Sequence, residues 1–350
     1  MVKTAMTIYK IDRTLAHVSR KLSFLVVNPT NMKTEQKKVF KDSHYNPEFS
    51  YRLPPKDLAK YRNALRKIKI PRTVVGKVLH EKRIELLKQI YLTKTIGTKE
   101  FTKHSIAIYD KPSQALVNKS KQLLKLQPTI KGAKLGKMSI VKKFLDSCAN
   151  HKFTCEIVEK EMAAKAAVNA RKKKIYFNPD HHFTEKDIKR LTLHEIGTHI
   201  KRAENAKKQK LQLYRIGFPY YLATEEGLAV YNEEQADVQT IDIIRQYAGR
   251  VVAVDLALKN PFNVVYTTLQ NYFTDAEAYT ITLRVKRGLK YTKQPGGHTK
   301  DHIYLKGFYI VKDFVRKGGN LKDLYVGKIG VEHVPLLPLM RKELGENNVH

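Results

Sequence analysis

The sequence contains few cysteines and no long apolar run, and each shortage excludes a class of protein. Two cysteines, Cys148 and Cys155, are too few for a disulfide framework and are not spaced as in a CxxC zinc ribbon, so we expect buried, inert thiols. The apolar run Val251 to Leu258 contains Asp255 and is far shorter than the roughly 20 residues that a membrane-spanning helix needs. Charged side chains within residues 1–15 interrupt the apolar core that a secretory signal requires. The sequence therefore predicts a cytoplasmic protein without a membrane span.

Acidic residues are also scarce. Only 33 Asp and Glu oppose 66 Lys and Arg, which gives a formal net charge of +33. Such a surplus creates a positive field over much of the surface, and its steepest local sources are the segments 171–174 and 207–210. Nucleic acid, anionic lipid and an acidic protein tail all match this field. The alternative is that the lysines are solvated and have no partner.

Local patterns predict an α+β fold that is mainly α, with a small sheet. The apolar fraction of 42% is that of a globular protein, and no stretch is dominated by Pro, Gly or Ser. Apolar rhythm, caps and prolines predict helices near 31–41, 56–69, 73–92, 113–126, 139–150, 263–273, 275–287 and 301–317. Short runs of apolar, β-branched and aromatic residues predict strands at 153–158 and 174–177.

Two more helices are predicted in the middle of the chain, where the chemistry is concentrated. Thr184, with Asp187 three residues later, is typical of a helix N-terminus, and this helix should continue into His194. Thr224 is expected to cap a second helix that continues to about Tyr247.

The segment from His194 to His199 has the pattern HExxxH, one residue longer than the HExxH of zincins. Histidines four apart lie about 40° around a helix and can bind one metal, whereas histidines five apart are separated by about 140°. A shared metal therefore needs a wider turn, such as a π-bulge, or a helix that ends there. Gly197 lowers the cost of such a distortion. The alternative is that His194 pairs with a surface carboxylate and His199 lies in a core or cap.

Carboxylates follow at the start of the next predicted helix, as Glu225 and Glu226. Zinc bound by two imidazoles and one carboxylate, with a fourth position left for water, is the arrangement of a hydrolytic site. Acidic residues in a first helical turn also complement the helix dipole without binding any metal. The sequence therefore indicates a zinc site but leaves the choice of carboxylate open at this point.

Beyond this site, the chain resembles the microtubule-associated tyrosine carboxypeptidase family and its bacterial relatives, which carry a QEGLA motif. The matching segments follow the family's order over nearly the whole chain: 28–31, 46–49 with Tyr51, 194–199, 226–229, 284–288 and 299–301. The resemblance implies one Zn²⁺ per chain, held by His194, His199 and a downstream glutamate. Because Gln stands in the bacterial motif where Glu225 stands here, Glu226 matches the ligand.

The resemblance implies a zincin-like zinc metallocarboxypeptidase that removes a C-terminal residue, tyrosine or another aromatic, from a protein or peptide. Residues 96–350 would form its catalytic domain, with the small sheet beside the active-site helix, and residues 1–95 a helical region packed on it; one continuous domain is the alternative. Glu195 directly follows a ligand and is expected to take the proton of the zinc-activated water and pass it to the leaving amine. Unranked candidates for the oxyanion donor are His298, His302, Tyr220, Tyr221 and the pair His181-His182.

An exopeptidase must also bind the terminal carboxylate of its substrate, and a guanidinium fork suits that carboxylate. We expect Arg284 and Lys300 to do so, with Arg287 in reserve, although all three also fit a generally basic surface. Two other functions remain open. One is a metalloendopeptidase with the same zinc site, and the other is a non-catalytic basic protein that binds nucleic acid or acidic protein tails. A protein or peptide C-terminus, including an acidic tail, is favoured over nucleic acid as the partner.

Overall fold

The computed structural model describes residues 2–22, 24–128, 132–160, 162, 165–169 and 173–346, so Arg171 and Lys172 of the basic segment 171–174 lie outside it. The helices are α1 (Val2–Lys21), α2 (Met32–Lys41), α3 (Leu58–Lys67), α4 (Val74–Lys94), α5 (Phe101–Tyr109), α6 (Gln114–Leu124), α7 (Lys137–Asn150), α8 (Glu185–Thr192), a π-helix (Leu193–Ile200), α9 (Lys201–Lys207), α10 (Leu213–Ile216), α11 (Leu222–Gln235), α12 (Ile241–Ala257), α13 (Phe262–Gln270), α14 (Asp275–Lys286), α15 (Ile303–Arg316) and α16 (Leu337–Glu343). The strands are β1 (Glu156–Glu159), β2 (Ala166–Asn169) and β3 (Lys174–Phe177). The predicted fold class, mainly α with a small sheet, is confirmed.

The sheet lies beside the helix that carries the HExxxH motif. Its strand order is β1-β3-β2, with β1 parallel and β2 antiparallel to the central β3. Ile175 and Phe177 of β3 are buried and share a core with Phe183, Ile188 and Ile196, which lead into and form that helix. The strand at β3 is confirmed, whereas β2 was not predicted because a run of Ala-Ala-Val-Asn lacks any alternation of polar and apolar residues.

The prediction of two free, buried thiols is wrong. Cys148 and Cys155 form a disulfide whose Cα atoms are 6.7 Å apart. Cys148 lies in the last turn of α7, and Lys152, with a φ of 53°, turns the chain back so that Cys155 approaches it. The bridge ties the end of α7 to the residue before β1, a contact that composition alone does not reveal.

The single helix predicted from Thr224 to Tyr247 is also wrong. Helix α11 begins at Leu222 and ends at Gln235, and a separate α12 begins after Thr240. The hydroxyl of Thr240 accepts a hydrogen bond from the backbone N–H of Ile243 and is therefore a true cap. The Thr224 hydroxyl accepts instead from the backbone N–H of Val331, so it serves a tertiary contact.

Helix α11 is held firmly against α15. A Cβ on Gly227 would lie 2.0 Å from the carbonyl carbon of Gly307, so neither position leaves room for a side chain. A second core joins the N-terminal helices to the far end of the chain, with Leu15, Leu79 and Phe218 packed in one cluster with Leu337. Every helix within the described ranges is too short or too polar to span a bilayer.

Candidate metal centre

The helix that carries the motif is wound differently at the histidines. It runs from residue 185 to 207, begins with the predicted Thr184–Asp187 capping box, and changes to π-helix over Leu193–Ile200. A π-turn places residues five apart on one face, because it contains more residues than an α-turn. The ring centroids of His194 and His199 are accordingly 4.9 Å apart. The predicted wider turn is confirmed.

The two imidazoles meet a carboxylate from α11. Nε2 of His194 and Nε2 of His199 each lie 3.7 Å from Oε2 of Glu226. One ligand atom from each of the three residues falls within 4.8 Å of the others. Both separations exceed an ordinary hydrogen bond, so three donors converge on a space that a metal ion can fill.

Each histidine is backed by a second carboxylate on its other nitrogen. Nδ1 of His194 lies 2.8 Å from Oε1 of Glu233, and Nδ1 of His199 lies 3.1 Å from Oε1 of Glu225. A carboxylate at Nδ1 selects the tautomer in which Nδ1 carries the proton and Nε2 presents its lone pair. Glu225 is thus a hydrogen-bond partner of a histidine, while Glu226 faces both Nε2 atoms.

The backing carboxylates are paired in turn with buried arginines. Nη1 of Arg190 donates to Oε1 of Glu233 over 3.0 Å, and Nη1 of Arg202 donates to Oε2 of Glu225. Arg202 also donates to the backbone carbonyl oxygens of Gly327 and Ile329, at 3.0 and 2.6 Å. Sequence reasoning did not assign a role to either arginine or to Glu233. The available signal was spacing: Arg190 precedes His194 by four residues, and Glu233 follows Glu226 by seven on one helix face.

These contacts keep the carboxylates ionised. Burial raises the pKa of Glu226, but its histidine neighbours outweigh burial and bring the pKa to about 2. Burial also raises the pKa of Glu225, but Arg202 and His199 outweigh burial and bring this pKa to about 2. For His194, burial lowers the pKa while Glu226 and Glu233 raise it, to about 10, and a cation bound between the donors would take the place of the Nε2 proton. The centre therefore carries carboxylate charge at neutral pH, as a cation site requires.

Glu195, the expected general base, is half-buried on the π-helix. Its carboxylate lies close enough to His194 to favour the charged form of that imidazole and so to raise its pKa. The position and charge of Glu195 are therefore compatible with a general base that acts beside His194, His199 and Glu226.

The three predicted carboxylate-binding residues gather around one buried acid, Asp301. Arg284 donates from Nε and from Nη2 to the two oxygens of Asp301, the latter over 3.1 Å. Nη2 of Arg287 lies 3.7 Å from Asp301, and its Nη1 donates to Oδ1 of Asn28 over 3.0 Å. Lys300 is half-buried next to Asp301 in the chain, and its positive charge contributes to lowering the pKa of Glu226.

Two further residues of this region were not predicted. The guanidinium of Arg250 lies over the rings of Tyr247 and Tyr304, 5.2 and 4.7 Å from their centroids, and helps to lower the pKa of Asp301. Tyr304 is near Glu226, whose charge adds to burial in raising the pKa of the phenol. We call Arg250, Arg284, Arg287, Lys300 and Asp301 the Asp301 cluster. Arg250 lies on α12, far from any motif, so the sequence offered no signal for it.

The candidate oxyanion donors are scattered. Tyr221 is half-buried, and the charges of Glu225 and Glu226 add to burial in raising the pKa of its hydroxyl. Tyr220 is partly exposed, and its hydroxyl accepts a hydrogen bond from Nζ of Lys88 over 2.8 Å. The side chain of Tyr220 is therefore at the surface, and that of Tyr221 is partly shielded from solvent.

The histidine candidates occupy other surroundings. His298 packs against the rings of Phe101 and Tyr109, and Nδ1 of His302 bonds the carbonyl oxygen of Thr299 at 2.6 Å. Nε2 of His182 bonds the carbonyl oxygen of Gly132, at 2.9 Å. Burial lowers the pKa of both His298 and His302, and charges of the Asp301 cluster act on both imidazoles.

A cavity of about 390 Å³ lies next to this centre. Its walls include Leu222 and Ala223, which precede Glu226 by four and three residues and so share its face of α11. Ile303, at the start of α15, and Tyr109 close other sides. The cavity is thus one helical turn from the metal donors.

These features define a mainly helical protein whose π-helix and α11 together build a three-donor site suited to a divalent metal. The family model described as "Microtubule-associated tyrosine carboxypeptidase" matches residues 38–347, and the chain therefore belongs to this family. A similar protein is "Microtubule-associated tyrosine carboxypeptidase 1" of Homo sapiens, which is 25% identical over 326 residues. The match covers 86% of this chain but 58% of the human protein, so the chain spans little more than half the length of that relative.

Proposed function

We propose that this chain is a zinc-dependent carboxypeptidase that removes the C-terminal residue, tyrosine or another aromatic, from a protein or peptide. The observation that carries the proposal is the convergence of His194, His199 and Glu226 within 4.8 Å. Membership of a family named for tyrosine carboxypeptidases supports the choice of reaction.

The donor chemistry fits zinc. Two neutral imidazoles and one carboxylate, with space for a fourth ligand, form the usual donor set of a hydrolytic zinc site. When bound there, Zn²⁺ supplies a Lewis acid that polarises the scissile carbonyl and lowers the pKa of a coordinated water. The site is zincin-like in its donor types, with the π-turn taking the place of the HExxH α-helix.

The residues around the donors have separate tasks in this mechanism. Glu195 takes the proton of the attacking water and returns it to the leaving amine. Tyr304 and Tyr221 are both half-buried, and the charge of Glu226 acts on the hydroxyl of each; we propose Tyr304 as the donor to the developing oxyanion because its ring also packs against Arg250 of the Asp301 cluster.

Recognition of the terminal carboxylate is proposed to involve the Asp301 cluster. Asp301 accepts two hydrogen bonds from Arg284 and lies near Arg287, whereas the charge of Lys300 acts on Glu226 and lowers its pKa. Lys300 is therefore the first choice for contact with the substrate carboxylate, and Arg284 orients the cluster. The cavity beside Leu222 and Ala223 is the proposed site for the side chain of the terminal residue.

The excess of basic residues supports a substrate with an acidic tail. A net charge of +33 attracts acidic chains over several ångströms and speeds their encounter, and this effect weakens as salt screens it. We propose a cytoplasmic protein substrate of this kind, in preference to nucleic acid.

A peptide panel on metal-analysed protein tests the proposal. The purified chain should contain about one zinc per molecule and should shorten peptides with a free C-terminal Tyr or Phe by one residue, while matched C-terminal amides resist. Equal cleavage of free and amidated peptides at internal bonds would instead identify a metalloendopeptidase. A folded protein that takes up no zinc would favour a non-catalytic basic binder.

A further inference from the structure

We infer that Arg190 and Arg202 are positioning residues for the metal, each acting through a carboxylate on one histidine. The structure contains two similar chains of contacts, Arg190–Glu233–His194 and Arg202–Glu225–His199. In both, the arginine holds a carboxylate, and that carboxylate holds Nδ1 of the imidazole. This inference rests on the proposed zinc site and adds the residues that orient its ligands.

Burying these two chains of contacts costs free energy. Glu233 and Arg202 have no exposed surface, and Arg190 is 7% exposed. Removing two charges from water costs several kcal/mol per ion, and apolar residues of similar size stabilise many folds equally well. A stability role alone therefore does not account for two buried Arg–Glu pairs at the same centre.

The geometry shows what the pairs accomplish. Oε1 of Glu233 is shared, because it lies 2.8 Å from Nδ1 of His194 and 3.0 Å from Nη1 of Arg190. With Arg190 fixing that oxygen, the imidazole is held with Nδ1 protonated and Nε2 directed at the converging donors. Without it, the ring could turn and present the other nitrogen.

The two chains of contacts differ in the number of hydrogen bonds that hold the arginine in place. Nε and Nη2 of Arg202 also donate to the carbonyl oxygens of Gly327 and Ile329, so this arginine ties α9, which directly follows the π-helix, to residues 327–329. Nε of Arg190, by contrast, is buried and has no hydrogen-bond partner in the described part of the chain. A buried N–H without an acceptor destabilises the fold. The presence of Arg190 at this position therefore indicates a role at His194 more than a role in folding.

The role of the contacts Arg190–Glu233–His194 is tested by the zinc affinity, measured by competition with a chromophoric chelator. Glu233→Leu removes the acceptor and should weaken zinc binding about 100-fold, whereas Glu233→Gln keeps an acceptor oxygen and should weaken it about 10-fold. Arg190→Met should resemble Glu233→Gln. Glu234→Gln is the matched control, since the adjacent Glu234 is partly exposed and pairs with Lys312.

Two additional measurements separate positioning from folding. The melting temperature of each metal-free variant reports the fold, and the visible spectrum of the cobalt-substituted protein reports ligand geometry. We expect altered cobalt spectra in the Glu233 and Arg190 variants but not in Glu234→Gln. For Arg202→Met we expect both a lower melting temperature and weaker zinc binding.

The outcomes are distinct. Wild-type protein that binds no zinc overturns the proposed zinc site itself. Wild-type protein that binds zinc, together with Glu233→Gln and Arg190→Met variants that fold and match its affinity and cobalt spectrum, overturns this inference alone. If Glu233→Leu does not fold, those two milder variants still decide the question.

Discussion

The metal centre and the Asp301 cluster lie side by side and use buried charge in opposite ways. At the metal centre the carboxylates outnumber the arginines, and two of them lie behind the histidines so that the Nε2 atoms stay free. In the Asp301 cluster a single carboxylate lies among the bases and leaves a surplus of positive charge.

Adjacent regions of opposite charge suit the two parts of one substrate. A cation held by carboxylates can act on a peptide carbonyl, and an anion-binding group beside it can hold a terminal carboxylate. Both regions contain buried salt bridges that hold side chains in place, and under the proposed function the sign of the excess charge decides which ligand each region takes.

The largest effect is expected at the metal centre, from Glu195→Gln. The amide cannot accept a proton, so turnover should fall by about 10²- to 10⁴-fold while zinc content stays unchanged. Rates on a Tyr-terminated peptide and metal analysis check this. Glu204→Gln, on the exposed part of the same helix, is the control. A Glu195→Gln enzyme that turns over normally would remove Glu195 from the mechanism.

The substitution Asp301→Asn tests the Asp301 cluster through its effect on the free energy of unfolding. Breaking a buried ion pair from one side costs about 3–5 kcal/mol, and the amide cannot pair with both arginines. Burial raises the pKa of Asp301, but Arg284, Arg287 and Arg250 outweigh it and hold the pKa well below the ordinary value of 3.8. The folded-state pKa is thus depressed, so this stability is present above pH 3.8 and is lost as pH falls below it.

Chemical denaturation at several pH values measures that contribution. Wild-type protein should lose stability from about pH 4 downward, and Asp301→Asn should lose less over the same interval. Parallel acid sensitivity in the two proteins would show that Asp301 does not carry the effect.

The two neighbouring glutamates of α11 should separate by role. Glu226→Ala removes a proposed ligand, whereas Glu225→Ala removes a partner of His199, for which losses of about 10- to 100-fold in zinc affinity are typical. We expect the Glu226 variant to lose more than the Glu225 variant. The opposite ranking in a chelator competition would exchange their assignments.

The most selective effect should come from Lys300→Met, because it should depend on the substrate. Losing one charge-assisted contact costs about 1.5–3 kcal/mol, or about 10- to 150-fold in kcat/KM, for a free C-terminus. The residual activity on an amidated peptide should not change. Lys293→Met, in the exposed loop nearby, is the control. An equal loss on both substrates would assign Lys300 to general charge and not to the carboxylate.

Many helices were predictable because their signals are local. The Thr184–Asp187 capping box, the helix near 275–287 and the strand at 174–177 depend on residues within a few positions of one another. The errors arose where distant contacts compete with local preference. Thr224 has the chemistry of a cap, yet Val331, more than a hundred residues away, takes its hydroxyl.

The sequence by itself determined which types of side chain the site contains. Histidines spaced five apart require a wider turn if they share an ion, because an α-helix would separate them, and the π-helix follows that requirement. The same segment identified the two histidines, and the match of Glu226 to the family's motif identified the third of the donors that the structure brings together.

Only the tertiary structure decided which groups support and surround those donors. Arg190 and Arg202 acquire partners on α11, and Arg250 joins Asp301 across the packing of α12. Buried charges are stable only beside specific opposite charges, and such pairs join residues far apart in sequence. Spacing and motif along the chain therefore identify the candidate ligands, while the packing of helices determines how they are oriented and what lies beside them.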